Sequence, residues 1–114
     1  MSRIMFLYAT APDAATARKI GEALVEARLA ACVNVLGTAT SIYRWEGAVE
    51  TAEETAFIVK TTQTAAGAAR ELILKLHPYE TPAIAAINID ETGSNSGFLA
   101  WIRAESDAGS RESE

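Results

Sequence analysis

The residues of this 114-residue chain that could do chemistry are few: it contains one cysteine, Cys32, and one histidine, His77. Imidazole, thiolate and carboxylate are the usual protein ligands of transition metals, and Glu80 follows His77 in the segment "HPYETP". A single cysteine excludes an internal disulfide and a CxxC metal motif. One histidine with one glutamate also falls short of the four ligands of a structural zinc ion. Any metal site is therefore expected to be weak, shared between chains or open to water.

Each of these residues also has a structural interpretation. Cys32 lies between Ala31 and Val33, where a thiol usually packs as a small buried hydrophobic side chain. His77 precedes Pro78, which disfavours helix, so it could cap the last carbonyls of a helix. A Cys32 nucleophile with a His77 base would need the two within hydrogen-bond distance, and P-loop, HExxH and GxSxG motifs are absent. Both interpretations stay open, and we expect no enzyme.

Lys60 and four aromatic residues could line a ligand pocket. Lys60 follows the apolar run "AFIV" inside a predicted strand, so it either faces solvent or contacts an anion. The aromatic side chains pack in cores or interfaces more often than they stack on ligands. They are Tyr43, Trp45, Tyr79 and Trp101.

Hydrophobic periodicity predicts six elements and a terminal helix. Residues 4–9 form a strand that is apolar on both faces, and a helix capped by Asp13 follows. Residues 32–47 form a long strand that is bent near Gly37. "AVETAEE" forms the tip of a hairpin, and residues 55–62 form its returning strand. Thr64 caps a second helix that ends near Leu76, residues 83–90 form a fourth strand, and "SNSGFLAWIRA" forms a last helix. The apolar stripe of the first helix comprises Ala17, Ile20, Leu24, Ala27 and Ala31.

This order, β-α-β-β-α-β plus a helix, predicts an α+β, ferredoxin-like domain with an extended hairpin. An arm from residue 33 to residue 46 would be about 45 Å long, which is more than so small a domain can cover. Ile42, Tyr43 and Trp45 would then be exposed in a monomer, so we expect an oligomer.

Composition and net charge limit the class of protein and the kinds of partner that this chain can have. With 49% hydrophobic and 22% charged residues the chain is typical of globular proteins. A net charge of −5 without a basic stripe disfavours nucleic acid, and no apolar run approaches the roughly 20 residues of a membrane span. We expect a single domain over residues 1–103, an acidic flexible tail over residues 104–114, and a cytoplasmic location without membrane partners.

Five blocks of sequence resemble one known family. "RLAACVNV", "SIYRWEGAVE", "EETAFIVKT", "HPYETPAI" and "FLAWI" resemble, in order and spacing, the CutA family of divalent-ion tolerance proteins, from about Phe6 to Ile102. The resemblance implies a ferredoxin-like fold, a tight homotrimer built through the long hairpin, and a role in tolerance to copper and other divalent cations. Trimeric PII-type regulators have a related fold, which by analogy suggests a sensor of a small anionic ligand as the alternative.

The resemblance also implies which residues form a pocket between subunits. A metal ion bound weakly in this pocket would be Cu²⁺ or Zn²⁺. This chain has Ala9 and Leu76 where copper-binding members have a cysteine and a second histidine, and Phe98 where tyrosine is commoner. The implied metal ligands are Cys32, His77 and Glu80, and the implied ligand pocket comprises Trp45, Glu53, Lys60, Tyr79 and Trp101.

Overall fold

The computed structural model describes residues 2–107 and contains the predicted order of elements. Most of the acidic tail predicted for residues 104–114 lies outside the described residues. The strands are β1 (Ile4–Ala11), β2 (Cys32–Trp45), β3 (Ala48–Thr62) and β4 (Ile84–Asn88), and the helices are α1 (Ala14–Glu26), α2 (Gln63–Leu76) and α3 (Ser96–Glu105).

The four strands form one antiparallel sheet in the order β2-β3-β1-β4. At the centre Phe6 of β1 lies opposite Lys60 of β3 on one side and Ile87 of β4 on the other. This arrangement confirms the predicted ferredoxin-like, α+β fold.

Helices α1 and α2 cover one face of the sheet and bury the main core. Leu7, Phe57 and Val59 project from the sheet towards Ile20 and Ile73, and each of the five is at most 3% exposed. Asp13 begins α1 as predicted, since its carboxylate accepts a hydrogen bond from the Thr16 amide at 2.8 Å.

Helix α3 covers only one end of the opposite face. Leu99 and Ile102 pack there against Ile4. Arg28, which has a φ of +58°, holds the end of α3 by donating hydrogen bonds to the Ala104 carbonyl and the Asp107 carboxylate. The rest of this face carries no helix, and the whole face is called here the open face.

The hairpin tip is shorter than predicted. Glu46 and Gly47 have φ values of +48° and +83°, so they make a two-residue turn and strand pairing resumes at Ala48. The prediction that "AVETAEE" forms the tip is therefore wrong, because those residues belong to β3. The predicted bend near Gly37 is confirmed as a β-bulge between Val35 and Gly37, whose φ is +113°.

Two helix boundaries also differ from the prediction. Helix α1 ends at Glu26, so Ala27 and Ala31 lie beyond its apolar stripe. Thr62 rather than Thr64 caps α2, because β3 runs directly into the helix and the Thr62 hydroxyl accepts the Ala65 amide at 3.2 Å.

The outer half of the hairpin overhangs the domain. Pairing between β1 and β3 ends at Ala11 and Thr55, whereas β2 and β3 stay paired as far as Trp45 and Ala48. Residues 39–45 and 48–54 thus form a two-stranded ribbon roughly 23 Å long. We call it the overhang. The three residues predicted to be exposed are uncovered: Ile42 is 72%, Tyr43 40% and Trp45 59% exposed. Val49, which was not predicted, is 64% exposed.

Glu91 joins the amino-terminal strand to α3. It accepts the Ile4 amide at 2.9 Å and a hydrogen bond from the Arg103 guanidinium. The Ile4 amide first, and then Arg103, hold the pKa of Glu91 below its ordinary value of 4.5. A lowered pKa in the folded chain means that the carboxylate stabilises the fold fully above its ordinary pKa. This stabilisation disappears as the pH falls through the folded pKa.

We therefore expect Glu91→Gln to lower the midpoint of urea unfolding near neutral pH. Its difference from the unmodified protein should shrink towards zero in acid, where Glu91 is protonated in both states. Unfolding curves from about pH 7 to about pH 3 measure this. Glu71→Gln removes an exposed pair with Arg70 and should change little at any pH. If the unfolding midpoint of Glu91→Gln were lowered by the same amount at every pH, the result would contradict the prediction.

Candidate functional site

Strand alternation places two groups of side chains on the open face. Along β3, Glu54, Ala56, Ile58 and Lys60 share this face, while Phe57 and Val59 lie beneath the helices. Phe6, beside Lys60, and Thr10, beside Ala56, are four positions apart on β1, a distance of about 13 Å. One group lies near Phe6 and the other near Thr10.

The first group, called here the lysine cluster, comprises Phe6, Cys32, Lys60, Phe98 and Trp101. The Lys60 Nζ atom lies 5.6 Å from the centre of the Phe6 ring and 5.4 Å from that of Phe98, a favourable arrangement for a cation. The Phe98 ring stacks on Trp101 with centroids 6.1 Å apart. Cys32 is partly exposed and faces Lys60 across the β2–β3 ladder.

The second group forms an open groove of about 840 Å³ at the base of the overhang. One wall comes from the hairpin, and the other comes from the segment that joins α2 to β4. The groove is lined by Thr10, Ser41, Tyr43, Trp45, Glu50, Ala52, Glu54, Tyr79, Glu80, Thr81 and Ala83.

Glu54 is the best-fixed carboxylate in the groove. Its two oxygens accept hydrogen bonds from the Ser41 hydroxyl at 2.7 Å and the Thr10 hydroxyl at 3.3 Å. Within residues 2–107, neither Glu54 nor its neighbours Glu50 and Glu80 form a salt bridge with a basic side chain. The groove is therefore negatively charged, and its carboxylates are available to a cation.

His77 lies beneath the groove and is only 7% exposed. Its Nδ1 atom accepts the Tyr79 amide at 3.1 Å, and its Nε2 atom is 2.8 Å from the Thr10 carbonyl. Because an amide can only donate and a carbonyl can only accept, the imidazole is in the Nε2–H form. His77 thus fastens the Tyr79–Glu80 wall to β1. Its backbone amide also donates a hydrogen bond to the Ile73 carbonyl at 2.8 Å, which ends α2.

The structure distributes the predicted site residues over several places. Trp45, Tyr79 and Glu80 meet in the groove, whereas Cys32, Lys60 and Trp101 meet in the lysine cluster. His77 lies under the groove with both ring nitrogens in hydrogen bonds. Glu53 lies on the other face of the hairpin, where it accepts the Thr40 hydroxyl at 2.8 Å.

Metal coordination stays a prediction. Across residues 2–107, no group of three or more histidine, cysteine, aspartate or glutamate side chains is arranged to hold a metal ion. Nor is any helix in that range long and apolar enough to span a membrane.

Sequence reasoning missed Thr10 and Ser41 as groove residues and assigned Glu50 and Glu54 to a solvated tip. Tyr43, which was named as a candidate pocket residue, does line the groove. The two-residue turn at Glu46–Gly47 was the available signal. Once the turn is placed there, the side chains that share a face follow from strand alternation and the bulge.

Known proteins with a similar sequence and a similar fold belong to one family. The chain matches the family described as "CutA1 divalent ion tolerance protein" over residues 5–105. The divalent-cation tolerance protein CutA of Thermus thermophilus is 47% identical over 94 residues, which are 82% of this chain and 89% of that protein. Protein CutA of Homo sapiens is 35% identical over 96 residues, 84% of this chain, and the chain spans 52% of that longer protein.

A crystal structure of CutA from Xylella fastidiosa matches the fold with a TM-score of 0.87 and 37% identity. The match covers 93% of this chain and 100% of the other. The family match over almost the whole described chain agrees with this fold similarity. The chain therefore belongs to the CutA1 family of divalent ion tolerance proteins.

Proposed function

We propose that the chain is a homotrimer that binds divalent metal ions weakly, Cu²⁺ or Zn²⁺ among them, and so contributes to divalent-cation tolerance. The observation that carries the metal proposal is the groove, in which Glu50, Glu54 and Glu80 have no basic partner within residues 2–107. Carboxylate oxygens coordinate divalent cations, and an open groove leaves room for water to complete the shell.

The trimer is supported by the overhang. A two-stranded ribbon with exposed apolar residues is marginally stable in water, so a partner chain is needed to cover it. A head-to-tail contact, in which the overhang of one copy lies on the body of the next, closes into a ring when the rotation allows it. Three copies is the number that the family resemblance implies.

Of the proposed metal ligands, Glu80 is the most accessible. His77 would have to give up its hydrogen bond to Tyr79 or Thr10 before it could coordinate a metal. Cys32 belongs to the lysine cluster, so the Cys32 of a neighbouring chain would share a metal ion with Glu80 more readily than the Cys32 of the same chain. We propose a binding role rather than catalysis, because Cys32 and His77 belong to different groups of residues.

We expect Glu80→Gln to weaken Cu²⁺ and Zn²⁺ binding by about tenfold, because an amide is a poorer ligand than a carboxylate. Equilibrium dialysis at neutral pH measures the change. Glu53→Gln is the matched control, since it removes the same charge from the opposite face of the hairpin. Equal affinities in the two variants would remove Glu80 from the ligand set, and no metal binding by the unmodified protein would overturn the metal proposal.

A second candidate is a sensor that binds a small anionic ligand at the lysine cluster. Lys60 supports it, because its ammonium group lies between two aromatic rings with Trp101 close by. A thermal-shift screen with nucleotides, phosphates and carboxylic acids separates the candidates. If only metal ions raise the melting temperature, the anion proposal fails.

A further inference from the structure

We draw no further inference here: the strongest candidate, the groove between α1 and the edge strand β2 that is lined by Val25, Val33 and Val35, is an uncovered apolar surface, and nothing in the structure of residues 2–107 shows what covers it.

Discussion

Replacing both Ile42 and Val49 by lysine is expected to convert the proposed trimer into a monomer. The two side chains share the face of the overhang opposite the groove, and they are 72% and 64% exposed in the single chain. Burying an aliphatic side chain of this size is worth about 1.5–3 kcal/mol, and a trimer would bury six of them. Lysine removes that gain and adds charges that resist burial.

Light scattering coupled to size exclusion measures the result. The unmodified protein should have three times the chain mass of 12.1 kDa, and the double variant should have the mass of one chain. Leu74→Lys is the control, because Leu74 is also exposed, at 39%, but lies on α2 away from the hairpin. A monomeric unmodified protein would contradict the assembly proposal, and a trimeric double variant would show that this face of the hairpin does not hold it together.

Replacing His77 by alanine is expected to lower the free energy of unfolding by about 2–4 kcal/mol. The substitution leaves two backbone groups without partners, the Thr10 carbonyl and the Tyr79 amide, and each costs about 1–3 kcal/mol when buried. Urea unfolding at neutral pH measures the change. Lys75→Ala, two residues earlier on the exposed side of α2, should cost little.

The same His77→Ala variant tests the histidine as a metal ligand. Cu²⁺ titration under conditions where the variant is folded compares its affinity with that of the unmodified protein. Unchanged affinity would remove His77 from the proposed ligand set. A loss of stability below about 0.5 kcal/mol would instead contradict the fastening role assigned to its hydrogen bonds.

Local patterns in the sequence predicted the elements well. Apolar repeats at helical spacing identified α1 and α2, Pro78 marked the end of α2, and Gly37 marked the bend in β2. These features act within a few residues of chain, so the sequence contains them directly. The predicted position of the hairpin tip was wrong, because a run of glutamates was taken for a turn. The turn is made by Glu46 and Gly47, which have a left-handed backbone conformation.

The composition of the groove depends on the bulge at Gly37. Before the bulge, Val33 contacts α1 through Gly21, and the odd-numbered residues of β2 face the helices. The additional residue reverses this alternation, so that Tyr43 and Trp45 share the open face with Glu54. One position of register separates Glu54, in the groove, from Glu53, on the opposite face. The family resemblance led to the choice of Glu53.

The sequence by itself determined the order of elements, the ferredoxin-like fold and the uncovered hairpin, because these follow from local periodicity and chain length. Only the tertiary structure decided which side chains meet. It separated Cys32 and Lys60 from Trp45 and Glu80, and it placed His77 in two backbone hydrogen bonds. The physical reason is that strand register and the bulge set side-chain direction, and both depend on pairing between residues far apart in the chain.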